Sequence, residues 1–357
     1  MRYISQGMKR DTALAITGLS KHQYYHRTVK KVKSSAGRPK SSFTTTNRGL
    51  PVSNQSVVEE IRETKQCEDT DYGYRRMTFH LLLMGYIINK KKVYRLMAEN
   101  GLLREPIRLT GKNYVKYRIV APEGPLQVFE MDIKMVWVSE HRRHAYILNI
   151  IDTFTRTALY WSVGYQMKQS QIKRAWEYMI ANYLQPADCL QKQLHIEVRN
   201  DNGPQFIAKL VRDFLEENHI NQVFTHPYTP QENGHVESFH AILKNALGSK
   251  PFWSLQELEM RLEIFYHNYN HIRIHSSIAN LPPKLFWACW EGKLVERKIM
   301  DKMKVKFKLK MPYQELSGNE SLREVLCSIE KTLDGFGQLE IDQEVNGANT
   351  PNLQPSV

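Results

Sequence analysis

Residues 199–206 read RNDNGPQF, and they join two segments of different character. The preceding segment, LHIEV (194–198), is typical of a buried strand, whereas IAKLVRDFLEEN (207–218) has helical spacing. Asn-Gly-Pro favours a tight turn, because glycine accepts positive φ angles and proline restricts its own φ. A plain turn therefore explains the stretch. The alternative is that Asp201 stands at the end of a strand, where chemistry is often placed.

The composition narrows the class of protein. The chain has 357 residues, more than one ordinary core organises, so two or more domains are expected. Its net charge of +13 favours a polyanionic partner, either nucleic acid or an anionic membrane surface. No run approaches the roughly 20 apolar residues of a membrane span, and the N-terminus lacks the apolar core of a signal peptide. The four cysteines are scattered, which predicts neither a zinc site nor a disulfide framework. We therefore expect a nucleic-acid partner, no membrane contact and a cytoplasmic location.

The N-terminal residues 9–27 have the pattern of helix, turn and helix. Gly18 interrupts the first helix, and Ser20 with Gln23 forms a capping box for the second. The following stretch is basic and rich in Ser and Thr, so it is interpreted as a linker. Such a linker could lie on phosphates, or it could simply be solvated.

Residues 71–102 are a stronger helix-turn-helix candidate. The second predicted helix is capped by Asn89 and ends at Gly101. Cations in its first turn oppose the helix dipole by about a few tenths of a kcal/mol each, and a DNA phosphate would remove that conflict. The alternative is a solvated basic face. The predicted DNA contacts on this helix are Lys90, Lys91, Lys92 and Arg95.

A sheet is predicted from about Pro122 onward. The segment LQVFEMDIKMVWV (126–138) alternates, with apolar residues on one face and Glu130, Asp132 and Lys134 on the other. Two more strands follow through a turn at 153–156, and helices then alternate with strands. This order predicts a mixed sheet covered by helices.

Three carboxylates stand out by position: Asp132 within the first strand, Asp201 at a strand end, and Glu237 just inside a helix. Converging carboxylates repel each other unless cations neutralise them. Oxygen ligands suit Mg²⁺ or Mn²⁺, and a pair of such ions can promote phosphodiester transfer. Other acids compete for this role. Asp152 is expected to organise a turn, whereas Glu130 and Glu232, taken singly, are typical of solvated acids.

Lysines near these acids and in the C-terminal region have two interpretations. Lys244 lies seven residues after Glu237 on the same helical face, so it either binds a phosphate or is an ordinary surface lysine. His240 is a weaker candidate for the same contact. The segment KMKVKFKLKM (302–311) predicts a strand with one lysine face. Its lysines, about 6.6 Å apart, either track a nucleic-acid backbone or protect a sheet edge. The predicted DNA contacts there are Lys304, Lys306 and Lys308.

Taken together, these motifs resemble a known family. Asp132, NDNGPQF (200–206) and YTPQENGHVESFHAILKNAL (228–247) look like the Asp-Asp-Glu core of retroviral integrases and bacterial insertion-sequence transposases. Residues 72–102 resemble the helical domain that precedes this core in one insertion-sequence group, and YNHIRIHSSI (269–278) resembles the segment that follows it. The resemblance covers roughly residues 1 to 288. It implies an RNase H-like fold, dependence on Mg²⁺, and cutting and joining of DNA at transposon ends.

We therefore predict an α/β protein with an RNase H-like mixed sheet flanked by helices, N-terminal all-α helix-turn-helix modules and a C-terminal extension. Asp132, Asp201 and Glu237 are the predicted catalytic residues and ligands of two Mg²⁺ or Mn²⁺ ions. The predicted partners are the double-stranded DNA of terminal repeats and target, bound by a homo-oligomer at a bacterial nucleoid. The alternatives are an inactive or domesticated DNA-binding protein and a simple metal-dependent nuclease.

The predicted domain boundaries follow these motifs. They comprise a helix-turn-helix-like segment (1–30), a basic linker (31–55), a helical DNA-binding domain (56–115), an integrase-like core (120–290) and a partly disordered extension (291–357).

Overall fold

The structure is a computed structural model that describes residues 2–25, 40–104, 122–192, 194–225, 234–248, 251–300 and 304–333. The chain divides into two compact units, Met1–Ser42 and Phe43–Val357. Predictions for residues 26–30 of the helix-turn-helix-like segment, for linker residues 31–39, for Glu232 and for the extension from residue 334 lie outside the described residues. Among the helices of the described ranges, none is long and apolar enough to cross a membrane.

The first unit carries short helices, namely α1 (Arg2–Ser5), α2 (Arg10–Thr17) and α3 (Lys21–Tyr25). Gly18 ends α2 with a φ of 66°, in the left-handed region that favours glycine. The Ser20 N–H donates to Gln23 Oε1 at 2.9 Å, and the Gln23 N–H donates to Ser20 Oγ at 3.1 Å. The predicted break and capping box are therefore both present.

The second unit opens with a small helical module that also contains a sheet. Its elements are β1 (Phe43–Thr46), β2 (Pro51–Ser53), α4 (Asn54–Gln66), α5 (Tyr74–Leu83), β3 (Tyr86–Ile87) and α6 (Lys90–Glu99). The strands are antiparallel in the order β2-β1-β3. The linker prediction is thus wrong from Phe43 on, and the module is not all-α. The run of threonines in β1 suits a strand because its side chains are β-branched, although its polarity is typical of a linker.

Helix α6 has the predicted ends and the predicted buried face. Asn89 caps it by accepting the Lys92 N–H at 2.9 Å, and Gly101 follows it with a φ of 66°. Its apolar face is buried in the core of the module, where it packs with residues of α4 and α5.

The core of the second unit is built on a mixed sheet. Its described strands are β4 (Val128–Val138), β5 (Arg143–Asp152), β6 (Ala158–Gly164), β7 (Ile196–Asn200) and β8 (Ile220–Phe224). They are ordered β6-β5-β4-β7-β8. The pairs β4–β5 and β5–β6 are antiparallel, whereas β4–β7 and β7–β8 are parallel. Strand β4 is therefore central, and β7 ends beside it.

Helices cover both faces of this sheet. On one face lie α7 (Gln169–Met179), continued by a π-helical turn at Ile180–Leu184, together with α8 (Pro204–Ile207) and α9 (Lys209–Glu217). On the other face lie α10 (Gly234–Leu247) and α11 (Leu255–His271). Glu130 and Asp132 of β4 face α10, so they lie between the sheet and that helix.

The chain continues from the core into a C-terminal layer. This layer contains α12 (Pro283–Glu291), β9 (Val295–Met300), β10 (Lys304–Leu309), a 3₁₀ turn at Tyr313–Gly318 and α13 (Glu320–Leu333). Strands β9 and β10 form an antiparallel ribbon. Its lysines Lys306 and Lys308 are exposed, whereas Leu309 is buried, so the predicted alternation is present.

Buried polar contacts join the helical module to the core. Asp69, which follows α4, accepts hydrogen bonds from Arg261 and Asn268 of α11, each at 2.8 Å. The hydroxyl of Tyr72 donates to the Ile272 carbonyl at 3.2 Å and accepts the Ile274 N–H at 3.0 Å. These bonds tie the module to the chain segment that directly follows α11.

The C-terminal end of α11 is also bonded to the sheet. The side-chain amide of Asn270 pairs with both the N–H and the carbonyl of Ala158 in β6, each at 2.9 Å. The motif YNHIRIHSSI therefore connects strand β6 to the helical module through neighbouring residues.

We expect Tyr72→Phe to lower the free energy of unfolding by about 1–3 kcal/mol, because the buried Ile274 N–H loses its partner without any change in ring shape. Urea denaturation measures the effect. Tyr94→Phe removes the same oxygen at a ring that is 49% exposed, and it should change stability by less than about 0.5 kcal/mol. Equal losses for the two variants would contradict a stabilising role for the junction.

Candidate active site

Asp132 lies halfway along the central strand β4, half-buried on the face covered by α10. Its Oδ1 accepts the N–H of Ile133 at 2.7 Å, and its Oδ2 lies 3.3 Å from Nδ1 of His240 on α10. Asn149 stands directly opposite Asp132 on β5, on the same face of the sheet. The carboxylate is thus held at both oxygens.

Asp201 follows the last residue of β7, next to the central strand. Its Oδ1 accepts the Gly203 N–H at 2.9 Å, so the side chain closes the turn that leads into α8. Asn202 secures the same turn by donating to the Thr225 carbonyl at 3.2 Å. The turn interpretation is confirmed, and the turn is what presents the Asp201 carboxylate beside β4.

Gly203 allows a close approach of side chains, and its φ of −58° is ordinary. A methyl group at this position would lie 2.5 Å from Nε2 of Gln205 and 3.0 Å from Oδ1 of Asp201. Any other residue would therefore displace the Asp201 carboxylate or the Gln205 amide.

Glu237 lies in the first turn of α10, where it is exposed. Glu130 holds that end of the helix, since its Oε2 accepts the N–H groups of His235 at 2.9 Å and Val236 at 2.7 Å. A carboxylate at a helix N-terminus satisfies donors that the helix itself cannot pair. The expectation that Glu130 is solvated is wrong, because its side chain is fully buried.

The pKa of Glu130 is changed by its buried position at the N-terminus of α10. Burial raises the pKa of Glu130 to about 7, while the Val236 and His235 N–H groups and the nearby charge of Arg156 oppose the rise. The guanidinium of Arg156 is itself buried. The oriented N–H groups and the cation therefore offset part of the cost of burying this acid.

Asp132 interacts electrostatically with the other two carboxylates. Burial raises the pKa of Asp201, the Gly203 hydrogen bond opposes this, and the charge of Asp132 adds to the rise. Burial and the charge of Asp132 likewise raise the pKa of Glu237. Asp132 and Asp201 line one cleft of about 510 Å³, together with Gln205 and Lys168. The described residues contain no group of three or more His, Cys, Asp or Glu already arranged around a metal position.

Comparison with known proteins agrees with this architecture. The integrase core domain family matches residues 122–230 and again residues 218–283, and an HTH-like domain family matches residues 53–108. The insertion element IS476 uncharacterized 39.2 kDa protein of Xanthomonas euvesicatoria is 28% identical over 224 residues, which cover 61% of this chain and 60% of that protein. The transposase for insertion sequence element IS904 of Lactococcus lactis is 24% identical over 249 residues, or 66% of this chain and 94% of that protein.

These matches support an insertion-sequence transposase of the retroviral-integrase-like superfamily. They also support a DNA transposase/integrase function, within the polynucleotidyl transferases. The mixed sheet of the chain, flanked by helices, is the RNase H-like fold that the sequence predicts. Among solved structures, the HTLV-2 integrase catalytic core domain in complex with magnesium has a TM-score of 0.31 and 18% identity, covering 43% of this chain and 92% of that one.

The predicted DNA contacts fall into different environments. Lys90 and Lys91 are exposed at the start of α6. Lys92 instead donates to the Phe43 carbonyl at 2.6 Å, so its ammonium is engaged within the helical module. Arg95 lies 4.0 Å from Glu99 one turn along the helix. Lys92 is therefore a poorer candidate for a phosphate contact than the two lysines before it.

The remaining basic candidates lie at the core and in the C-terminal layer. Lys244 is exposed on α10, seven residues after Glu237. Lys306 is exposed on β10 opposite Lys298 of β9, and Lys308 is exposed opposite Glu296. The side chain of Lys304 lies outside the described residues.

Asp152 has the role that the sequence predicts, whereas His240 has a different one. Asp152 does organise a turn, accepting the Thr155 N–H at 2.7 Å and the Leu126 N–H at 3.1 Å. His240 was a weak candidate for a phosphate contact, but its ring is turned inward onto Asp132. The sequence signal for His240 was its position three residues after Glu237, which places both on the same side of α10. Glu130 had a comparable signal, because it lies two residues before Asp132 on the same strand face.

Glu130→Ala should lower the free energy of unfolding by about 1–3 kcal/mol, because the N–H groups of His235 and Val236 lose their acceptor. Amide hydrogen exchange at Val236 should accelerate at the same time. Glu130→Gln keeps an acceptor oxygen and should retain most of the protection. Unchanged exchange in the Ala variant would show that Glu130 does not hold α10.

Gly203→Ala should reduce DNA cleavage by up to about 100-fold with little change in melting temperature, because the added methyl group displaces the Asp201 carboxylate. Gly318→Ala is the matched control, since a methyl group there meets nothing within 4 Å. Full activity of the Gly203 variant would contradict the importance of this turn for the site.

Proposed function

We propose that this transposase cleaves and joins DNA strands at a centre formed by Asp132, Asp201 and Glu237. The observation that carries the proposal is the convergence of three elements. Strand β4 supplies Asp132, the end of the adjacent parallel strand supplies Asp201, and helix α10 supplies Glu237. The charge of Asp132 raises the pKa of both other carboxyl groups, so the three share one electrostatic environment.

The donor set fits hard divalent cations. All three proposed ligands are carboxylates, which Mg²⁺ and Mn²⁺ prefer over sulfur or imidazole donors. Among the described ion pairs, neither Asp201 nor Glu237 has a lysine or arginine partner. We propose that Asp132, Asp201 and Glu237 hold two such ions. When bound, the ions would polarise a phosphate oxygen and make the attacking water or hydroxyl more acidic.

Neighbouring residues of the chain hold the three proposed ligands in position. Gly203 orients Asp201 through its N–H, and Ile133 and His240 orient Asp132. Glu237 lies exposed at the helix end that Glu130 holds. Two of the three carboxylates are therefore fixed by short-range hydrogen bonds, and the third is placed by the position of α10.

The proposed reaction consists of two successive phosphodiester exchanges. Water first attacks the phosphorus at the end of the element, the P–O3′ bond breaks, and a free 3′-hydroxyl and a 5′-phosphate result. That 3′-hydroxyl then attacks a target phosphodiester, so a new P–O bond joins element to target and a target 3′-hydroxyl is released. No covalent bond between protein and DNA is needed.

DNA would be bound by surfaces on several elements. We propose that Lys90 and Lys91, at the start of the second helix of the HTH-like module, meet the phosphates of the terminal repeats. Lys244 would contact the strand that enters the site, and the lysine face of β10 would follow another part of the backbone. Joining two ends of an element to one target requires at least two copies of the chain on the DNA.

The alternatives differ in measurable products. An inactive or domesticated DNA-binding protein would bind terminal-repeat DNA without breaking it. A simple nuclease would nick the DNA without producing joined strands. Labelled terminal-repeat DNA incubated with the protein, Mg²⁺ and a target plasmid distinguishes the three, and we expect both nicked and joined products.

The variants Asp132→Asn, Asp201→Asn and Glu237→Gln should each reduce cleavage by about 100-fold or more, because each removes a metal-binding charge while keeping the side-chain shape. Binding to the same DNA should persist, as measured by electrophoretic mobility shift. Glu216→Gln, at an exposed acid of α9, is the matched control and should cleave normally. An Asp201→Asn protein that cleaves like the wild type would refute the site.

A further inference from the structure

A chain of buried polar side chains lies behind Asp132. Tyr266 of α11 donates its hydroxyl hydrogen to Oδ1 of Asn149 on β5. The amide nitrogen of Asn149 lies 3.0 Å from Nε2 of His240 on α10, and Nδ1 of His240 lies 3.3 Å from Oδ2 of Asp132. Tyr266 is 4% exposed, Asn149 is 0% exposed and His240 is 9% exposed, so water does not compete for these bonds.

Tyr266, at the end farthest from Asp132, determines which group donates and which accepts in every hydrogen bond of this series. A phenol hydroxyl that donates to Asn149 Oδ1 requires the amide nitrogen to point the other way. That nitrogen has two hydrogens, one directed to the Ile147 carbonyl at 3.1 Å and one to His240. Nε2 of His240 must then accept, so the proton of the neutral imidazole is on Nδ1 and is donated to Asp132.

Packing alone does not explain these polar groups. They are enclosed by an apolar cluster that includes Ile147, Phe239 and Phe265, and the ring of Tyr266 stacks on Trp161 at 4.8 Å. Buried polar groups destabilise a core unless each one is paired, and apolar side chains of similar size would fill the same space. The series of hydrogen bonds ends on the carboxylate of Asp132, so its polar groups act on that carboxylate.

We propose that Tyr266, Asn149 and His240 position the carboxylate of Asp132 for metal and DNA, with His240 as the positioning residue in direct contact. The inference rests on the proposed function, since it takes Asp132 as a metal ligand. Oδ2 is held by His240 and Oδ1 by the Ile133 N–H, which leaves one lone pair on each oxygen for a cation. Hydrogen-bonded partners of this kind typically raise metal affinity or activity by about 10–100-fold.

The same contact aligns a second ligand. His240 and Glu237 are three residues apart on α10, so they project on the same side of the helix. A bond that fixes His240 against Asp132 therefore also sets how far Glu237 stands from Asp132 along the helix axis.

The test measures metal binding without DNA or turnover. Mn²⁺ alone is titrated into the full-length protein, and the electron paramagnetic resonance signal of the free ion gives the dissociation constant. His240→Phe keeps the ring shape without a donor, and it should weaken Mn²⁺ binding and slow Mg²⁺-dependent cleavage by about 10–100-fold. His240→Asn places an amide N–H where Nδ1 stands, and it should recover most of both.

Changes at the far end of the chain make the test specific. Tyr266→Phe should weaken Mn²⁺ binding in the same direction but less, because Asn149 loses the bond that orients its amide. Tyr183→Phe is the matched control, since Tyr183 is also buried and its hydroxyl donates to the Leu159 carbonyl at 2.9 Å on the opposite face of the sheet. The control should be destabilised without any change in Mn²⁺ affinity. Nitrogen-15 spectra of the imidazole, assigned by comparison with His240→Asn, should show the proton on Nδ1.

Failure of this inference differs from failure of the proposed function. Wild-type Mn²⁺ affinity in a folded His240→Phe protein, together with an inactive Asp132→Asn protein, would overturn the positioning role alone. A proton on Nε2 of His240 would also overturn it. An Asp132→Asn protein with normal Mn²⁺ affinity and cleavage would refute the proposed function, and the inference with it.

Discussion

The packing of helix α10 across strand β4 is the contact on which the rest of the core depends. Glu130 and Asp132 project from one face of the strand, and each is bound by the helix, the first by backbone N–H groups and the second by His240. Burying an acid in a sheet is unfavourable unless donors are already oriented toward it. Glu130 meets that condition, because a helix N-terminus presents unpaired N–H groups and Arg156 lies nearby. Two contacts along one helix leave it little freedom to slide or rotate over the strand.

A second set of contacts gives this site a fixed relation to the helical module. Asp69 is buried beneath Arg261 and Asn268 of α11, and Tyr72 bonds to the backbone after that helix. Breaking one partner of a buried ion pair leaves an uncompensated charge, so such a junction resists separation. The module and the core accordingly belong to one compact unit. A DNA end bound at α6 would therefore meet the carboxylates at a set distance, which is a geometric requirement for cutting at a defined phosphate.

Local patterns predicted the local structure well. The caps at Ser20 and Asn89 involve partners three residues away, so a short window of sequence contains the whole interaction. The alternation of β4 and the turn before α8 also depend only on residues that are close in sequence. The hairpin at 43–53 was missed because its threonines are typical of both strands and linkers, and pairing with β3, some 40 residues later, decides between them. Met135 and Trp137 belong to the apolar face of β4, yet they are 57% and 44% exposed, which the alternation alone does not indicate.

The sequence by itself determined the turn at RNDNGPQF, the order of the three carboxylates and the family that they indicate. The turn is local, because Asp201 bonds to Gly203 two residues later. Only the tertiary structure decided that Glu130 is a buried helix cap and that His240 supports Asp132. These side chains find their partners about 100 residues away, and whether an acid or a histidine is solvated, paired or buried depends on what packs against it. Residue type and spacing specify which groups are available for chemistry, and the packing of α10 on β4 determines which of them meet.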